Sequence, residues 1–216
     1  MVSRYAFTMI ELIFAIVVIS ITVISLPMMT QATSKSIEGN LVQEAIFASS
    51  AKLNEVMTYK WDENSTPQDS IYSQVIWTSI NDCNQTTKLR SGHIDQQLHR
   101  KCLDNNFSII KPTATLGLEA NDNNIPDDID DFNNVSTPIF TDNSGAGVIS
   151  SAEGYKNPYR MDINVSYAAF GTAAAASKNI KRIDISIINS DTNLTTTVLH
   201  TYSANIGETY YFKRSF

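Results

Sequence analysis

The hydrophobic pattern begins with one long apolar run at residues 7–29, which reads FTMIELIFAIVVISITVISLPMM. At 1.5 Å per residue a helix of this length reaches about 35 Å, which exceeds the ~30 Å hydrocarbon core of a bilayer. The run therefore predicts a membrane-spanning helix. Its polar interruptions are Thr8, Glu11, Ser20, Thr22, Ser25 and Pro27.

Residues 30–60 continue the helical pattern. Apolar side chains recur there at spacings of three and four, as one stripe of an amphipathic helix requires. Together the two segments predict a helix of residues 7–60 that is too long to be buried in one small domain. The stripe is formed by Ile37, Leu41, Ala45, Ala48 and Val56.

The C-terminal third has the period-two pattern of half-buried strands. Apolar and polar residues alternate in residues 160–167 and 180–188, and a Thr-rich third strand is expected at 194–202 after a turn at 190–193. Residues 61–151 show few periodic elements, with short pieces around 72–80 and 93–103. We expect an α+β fold in which residues 61–216 form a globular head, with a C-terminal antiparallel sheet packed on the helix.

Glu11 is the one charged side chain inside the apolar run. A carboxylate near the bilayer centre costs about 2.5–3.5 kcal/mol on insertion scales, so a cation is expected to pair with it. The nearest such cation would be an α-amino group created by cutting before Phe7. The alternative is a tolerated carboxylate that reaches toward the membrane interface.

Residues 1–6 precede the run and carry Arg4, which favours a cytoplasmic position for this stub and the opposite side for the head. A secretory signal peptide is the competing interpretation. It would have a shorter apolar region followed by small residues at the cleavage site. Here the run is longer, and the small residue Ala6 lies before it.

The segment Ala6-Phe7-Thr8-Met9-Ile10-Glu11-Leu12 resembles the prepilin cleavage and methylation motif of type IV pilins and type II secretion pseudopilins. The resemblance implies that prepilin peptidase cuts between Ala6 and Phe7 and methylates the Phe7 amine. Glu11 lies four residues past that new terminus, where the family has its glutamate. Ala6 departs from the usual glycine.

The resemblance also implies a pilin-like fold, a long N-terminal α-helix with a transmembrane N-half packed on an antiparallel β-sheet head. Residues 7–29 would be the transmembrane and filament-core helix, and the protein would be a single-pass inner-membrane protein with its head in the periplasm. Its partners would be other pilin or pseudopilin subunits, the inner-membrane assembly platform and membrane lipid. Similar proteins have a proline near Pro27, where the helix partly unwinds on assembly; by itself, Pro27 predicts a kink.

Cys83 and Cys102 are the only cysteines. Outside the cytoplasm an even pair is most simply a disulfide, which would close a loop of about 20 residues and add roughly 3 kcal/mol. The alternative is a zinc site that includes His93 and His99, but the spacing fits no common zinc pattern.

Residues 119–131 are acidic and resemble calcium loops of the thrombospondin type 3 kind. Calcium prefers six to eight oxygen ligands in a curved loop. Glutamate at the first position and asparagine in place of glycine at Asn124 depart from that pattern, and the alternative is a solvated loop. The candidate ligands are Glu119, Asn121, Asn123, the Ile125 carbonyl, Asp127 and Asp130.

The formal net charge of −6 argues against binding of nucleic acid by the whole surface. Lys178, Lys181 and Arg182 form a short basic cluster, interpreted as surface charge beside a strand. No phosphate loop, nucleophile elbow or metalloprotease motif is present, so no enzymatic activity is expected. The expected role is a structural subunit, of a minor kind, in a type IV pilus-like or type II secretion pseudopilus filament. The alternative is a pilus-tip binding protein, an adhesin or DNA-uptake receptor, anchored by the same helix.

Overall fold

The computed structural model describes residues 8–66, 72–79, 82–90, 100–103, 112, 115–119, 125–139, 159–168 and 178–209. The chain divides into two compact units, Met1–Glu44 and Ala45–Phe216. A helix, α1, spans Met9–Val56 and contributes to both. The expected long helix is thus present and ends about one turn before residue 60.

The C-terminal end of α1 is tightened by two short-range hydrogen bonds. Thr58 N donates to Glu55 O at 2.9 Å, and Tyr59 N donates to Val56 O at 3.2 Å. Such three-residue bonds satisfy carbonyls that an ending α-helix leaves without a partner. The chain then enters the head at Trp61.

The head contains a four-stranded antiparallel sheet in the order β1-β2-β3-β4. The strands are β1 Val135–Pro138, β2 Tyr159–Tyr167, β3 Ile180–Asn189 and β4 Thr195–Ala204. The three expected C-terminal strands are confirmed within two residues at each end. β1 lies in the segment that was expected to be irregular, because four residues are too few to show a period of two.

The apolar face of the sheet forms the centre of the head. Ile163 on β2 pairs with Ile185 on β3, and both side chains are buried. Val56 from the end of α1 belongs to the same core. The core is completed by side chains from the irregular segments, including Trp61, Ile76, Trp77, Leu103, Ile129 and Phe132.

Two short 3-10 turns, Glu63–Ser65 and Asp130–Phe132, flank this core. An isolated parallel bridge joins Lys60 to Asp128, and Ile129 N donates to Lys60 O at 3.0 Å. Two segments that are distant in sequence are therefore held side by side. Their carboxylates meet at the site described below.

Candidate functional site

The first part of α1, which lies in the apolar run, has an apolar surface that contains one carboxylate, that of Glu11. Its apolar side chains are exposed, and none of its most apolar window is buried against the described chain. The helix is long and apolar enough to span a membrane, which is consistent with a single-pass anchor. Glu11 lies in the first turn and is exposed. Ala6 and Phe7, the predicted cleavage position, lie outside the described residues.

The hydroxyl groups in this part of α1 are satisfied within the helix. Ser20 Oγ donates to Ile16 O at 2.7 Å, and Thr33 Oγ1 donates to Met29 O at 2.9 Å. Because each hydroxyl hydrogen is bonded to a helix carbonyl, these side chains can face lipid or another apolar surface without an unsatisfied donor. Glu11 is therefore the strongest polar group of the segment and the one that needs a partner.

Pro27 lies inside α1, and the helix continues through it. Proline offers no N–H to the carbonyl four residues earlier, which leaves one backbone bond missing at this point. The helix tolerates the gap because one missing bond is flanked by intact turns. The unwinding expected on assembly stays a prediction.

The predicted disulfide is present between Cys83 and Cys102, with a Cα–Cα distance of 6.5 Å. Both residues are buried in the core. Cys102 N donates to Lys88 O at 2.9 Å, and Cys102 forms an isolated bridge with Val75. The disulfide therefore helps to hold together the segments around Val75, Cys83 and Cys102, which form only isolated bridges and no regular strands.

The candidate calcium ligands are only partly described. Asn121 and Asn123 lie outside the described residues. Asp127 is about half exposed, with Oδ2 4.0 Å from Lys60 Nζ, whereas Asp130 is completely buried and holds a lysine. Within the described ranges no three His, Cys, Asp or Glu side chains are placed to hold a metal ion. Calcium binding stays a prediction.

The most unusual site in the head is a buried cluster of charges around Lys181. This residue was interpreted from the sequence as part of a basic surface cluster, and that interpretation is wrong: its side chain is 0% exposed. Lys181 Nζ contacts Asp130 Oδ1, donates to the Trp61 carbonyl at 2.5 Å and lies 3.5 Å from Asp62 Oδ2. An ammonium has three donors, and each meets an acceptor here.

Aromatic rings close the cluster on two sides. The Trp61 ring lies 4.4 Å from Lys181 Nζ, within the range of a cation–π interaction. Tyr167 is the cross-strand partner of Lys181 and therefore lies on the same face of the sheet. Burial and the nearby carboxylates raise the pKa of Tyr167, which keeps its hydroxyl protonated.

Four aspartates in the two segments beside Lys181 are 0% exposed: Asp62, Asp128, Asp130 and Asp131. Backbone donors hold their positions. Asp128 Oδ2 accepts from Glu63 N at 2.6 Å, and Asp128 Oδ1 accepts from Asp130 N at 2.8 Å. Asp130 Oδ2 and Asp131 Oδ1 are buried and find no hydrogen-bond partner among the described residues. The carboxylates outnumber the ammonium, so full ionisation would leave net negative charge in the core.

A proton on Asp128 relieves part of this excess. Burial, and then the neighbouring Asp130 charge, raise the pKa of Asp128 to about 9. Burial raises the pKa of Asp130 as well, although the Lys181 charge opposes the effect. We assign the proton to Asp128, because Asp130 contacts the ammonium directly.

The proton on Asp128 makes stability depend on pH. The folded-state pKa of about 9 lies above the ordinary value of 3.8, so folding takes up a proton between these limits. The contribution of Asp128 to the free energy of unfolding is full below about pH 4 and is lost as the pH rises toward 9. Asp128→Asn should remove this slope. Urea unfolding of the full chain in detergent, followed by fluorescence of the buried Trp61 and Trp77, measures it.

The matched control is Asp191→Asn, which removes one exposed carboxylate from the turn between β3 and β4. It should unfold with the pH dependence of the unsubstituted chain. An Asp128→Asn chain with that same dependence would contradict the assignment of the proton.

One sequence signal could have located Lys181. It has the same strand parity as Ile183, Ile185 and Ile187, so the alternation places it on the buried face. The aspartates gave no comparable signal, because their meeting depends on the long-range bridge between Lys60 and Asp128.

Comparison with known proteins gives no relative for this chain. No family model, no curated protein and no solved structure matches it.

Proposed function

We propose that this chain is a structural subunit, of a minor kind, of a type IV pilus-like or type II secretion pseudopilus filament. The observation that carries the proposal is the exposed apolar start of α1 with a single carboxylate, Glu11, in its first turn. An apolar surface on all sides of a helix requires lipid or neighbouring helices. A filament subunit contacts lipid while it is in the membrane and contacts the helices of neighbouring subunits after assembly.

In this proposal Glu11 finds its cation on a neighbouring subunit. Prepilin peptidase removes residues 1–6, and the methylated amine of Phe7 pairs with the Glu11 carboxylate of the next copy. In a low dielectric such a pair is strongly attractive and sets register along the filament. Other pilin subunits and the inner-membrane assembly platform are the expected partners.

The head supports the same placement. A disulfide persists in an oxidising compartment such as the periplasm, and this head contains one. Its described cluster of charges is buried and packed against tryptophan and tyrosine, which suits a structural role. The proposal includes no catalytic step.

The experiment is the substitution Glu11→Gln in the host, with filament incorporation as the readout. Glutamine has nearly the same size and no charge, so membrane insertion persists while the pair is lost. Loss of a buried pair costs about 3–5 kcal/mol, so incorporation should fall at least about tenfold.

The matched control is Glu44→Gln, which removes an exposed carboxylate of α1 beyond the apolar run. It should assemble like the unsubstituted chain. Normal incorporation of Glu11→Gln would contradict the pairing.

One observation favours the alternative of a pilus-tip binding protein. A groove of about 340 Å³ lies on the solvent-facing side of the sheet. Its lining is polar in part, which suits a small ligand with hydrogen-bonding groups, and Asp162 pairs with Arg160 at 3.2 Å, which reduces the positive charge beside the groove that nucleic acid would require. Counting copies per filament separates the two roles, since a tip protein is present in few. The groove is lined by Asn134, Ser136, Asp162, Asn164, Ser186 and Thr195, among others.

A further inference from the structure

The contact between Lys181 and Asp130 has the arrangement of two groups that can condense. The amine nitrogen touches carboxyl oxygen Oδ1, and the carboxyl carbon is only one bond farther away, so the two groups that would react are already held together. Both side chains are 0% exposed, so bulk water is kept from the pair. Asp128 lies beside them, because its two carboxyl oxygens accept from the backbone N–H groups of Glu63 and Asp130.

We propose that Lys181 Nζ and Asp130 Cγ become joined by an intramolecular amide bond, with Asp128 relaying the proton. This inference is independent of the filament role, because it rests only on side chains within the head.

The reaction is a condensation that balances without a co-reactant. The Lys181 ammonium gives one proton to the Asp130 carboxylate, which leaves an amine and a carboxylic acid. The lone pair of Nζ attacks Cγ and forms a tetrahedral intermediate. A proton then leaves Nζ and passes through the Asp128 carboxyl to the hydroxyl on Cγ. The C–O bond breaks and water departs, so one ammonium and one carboxylate become one amide and one water.

The surroundings favour the product. In water the two ions are stabilised by hydration, but burial removes that stabilisation, and condensation replaces two buried charges by a neutral amide. Holding the groups in contact also supplies the large effective concentration of an intramolecular reaction. The pKa of Asp128, raised to about 9, provides a carboxyl that is protonated at neutral pH and can donate.

The product would satisfy the hydrogen bonds of the site. Nζ keeps one hydrogen, and the Trp61 carbonyl that it already contacts can accept it. The new carbonyl oxygen can accept from the Asp128 hydroxyl. Asp130 Oδ2, which has no partner among the described residues, is the oxygen that can leave as water.

The bond would link β3 to the segment that precedes β1, across a sequence separation of 51 residues. It would act as a second covalent fastening of the head besides the disulfide, whose separation is 19 residues.

The test is the mass of the folded, full chain, purified in detergent and then denatured. Its mass should be lower than the mass calculated with the disulfide by one water, about 18 Da. Trypsin should fail to cut after Lys181, and the peptide that carries it should be attached to the peptide that carries Asp130. A folded chain with the full calculated mass and two separate peptides would overturn the proposal.

Variants test the roles of the groups. Lys181→Arg keeps a positive charge without a nucleophilic amine and should have its full calculated mass.

Asp128→Asn keeps both reacting groups and should slow bond formation at least about a hundredfold, as loss of a general acid–base group does. Matched controls are Lys178→Arg and Asp127→Asn, both exposed, which should still lose one water. Bond formation in Asp128→Asn at the unsubstituted rate would remove Asp128 from the reaction.

Discussion

Replacement of Lys181 by methionine should lower the free energy of unfolding of the head by at least about 3–5 kcal/mol, because it leaves buried charge unpaired and also prevents the proposed amide bond. Methionine fills a similar volume but leaves the Asp62 and Asp130 carboxylates without their cation. Burial raises the pKa of Asp130, so part of the loss is recovered as the pH falls and Asp130 takes up a proton. Urea unfolding followed by fluorescence of Trp61 and Trp77 gives the value.

Two comparisons isolate the charge effect at Lys181. Lys178→Met makes the same chemical change at an exposed position and should alter stability by no more than about 0.5 kcal/mol. Removing both partners, with Lys181→Met and Asp130→Leu together, should cost less than Lys181→Met alone, because no isolated ion of that pair remains. A loss below about 1 kcal/mol in Lys181→Met would contradict the compensating role of the lysine.

Removal of the disulfide should have the second largest effect on stability. The cysteines are separated by 19 residues, and cross-linking a loop of that size contributes about 3 kcal/mol. The chain with Cys83→Ala and Cys102→Ala should therefore unfold at lower urea. Reduction of the unsubstituted chain with dithiothreitol should produce a similar shift.

A matched comparison separates the contribution of the disulfide bond from the contribution of the packing of the two side chains. Both cysteines are buried, so serine at these positions adds a hydroxyl that alanine lacks. The serine pair should be less stable than the alanine pair, and the reduced chain should lie closest to the alanine pair. An unfolding midpoint unchanged by reduction would show that the disulfide does not contribute.

The helix and three strands could be predicted because their patterns are local. The apolar run and the stripe up to Val56 define α1, and alternation defines β2, β3 and β4. β1 was missed because its four residues become a strand only through pairing with β2, as Val135 pairs with Ile163. Pairing between distant segments leaves no pattern in a single short stretch.

The buried charge cluster shows where residue type and strand pattern conflict. The charge of Lys181 suggested a surface position, whereas its parity with Ile183 pointed inward, and the parity was right. The cost of burying lysine is offset by the partners at Asp130, Asp62 and Trp61. Those partners come from segments 119 and 51 residues away, which the sequence alone did not bring together.

From the sequence, the acidic loop at residues 119–131 was interpreted as a group of oxygen ligands for a cation. In the described part, Asp130 is engaged by Lys181 and Asp131 accepts from the backbone of Asp127 at 2.7 Å. These contacts organise the loop around the side chain of Lys181. Calcium binding by Glu119, Asn121, Asn123, the Ile125 carbonyl, Asp127 and Asp130 stays a prediction.

The claim that this chain assembles through a trimmed, apolar helix is tested most directly at its first residues. Mass spectrometry of the N-terminal peptide of the chain purified from its host distinguishes the possibilities, and it is independent of the mass change proposed at Lys181. The account predicts a peptide that begins at Phe7 and carries one methyl group on its amine. A peptide that begins at Met1, or one that begins after residue 29, would contradict it.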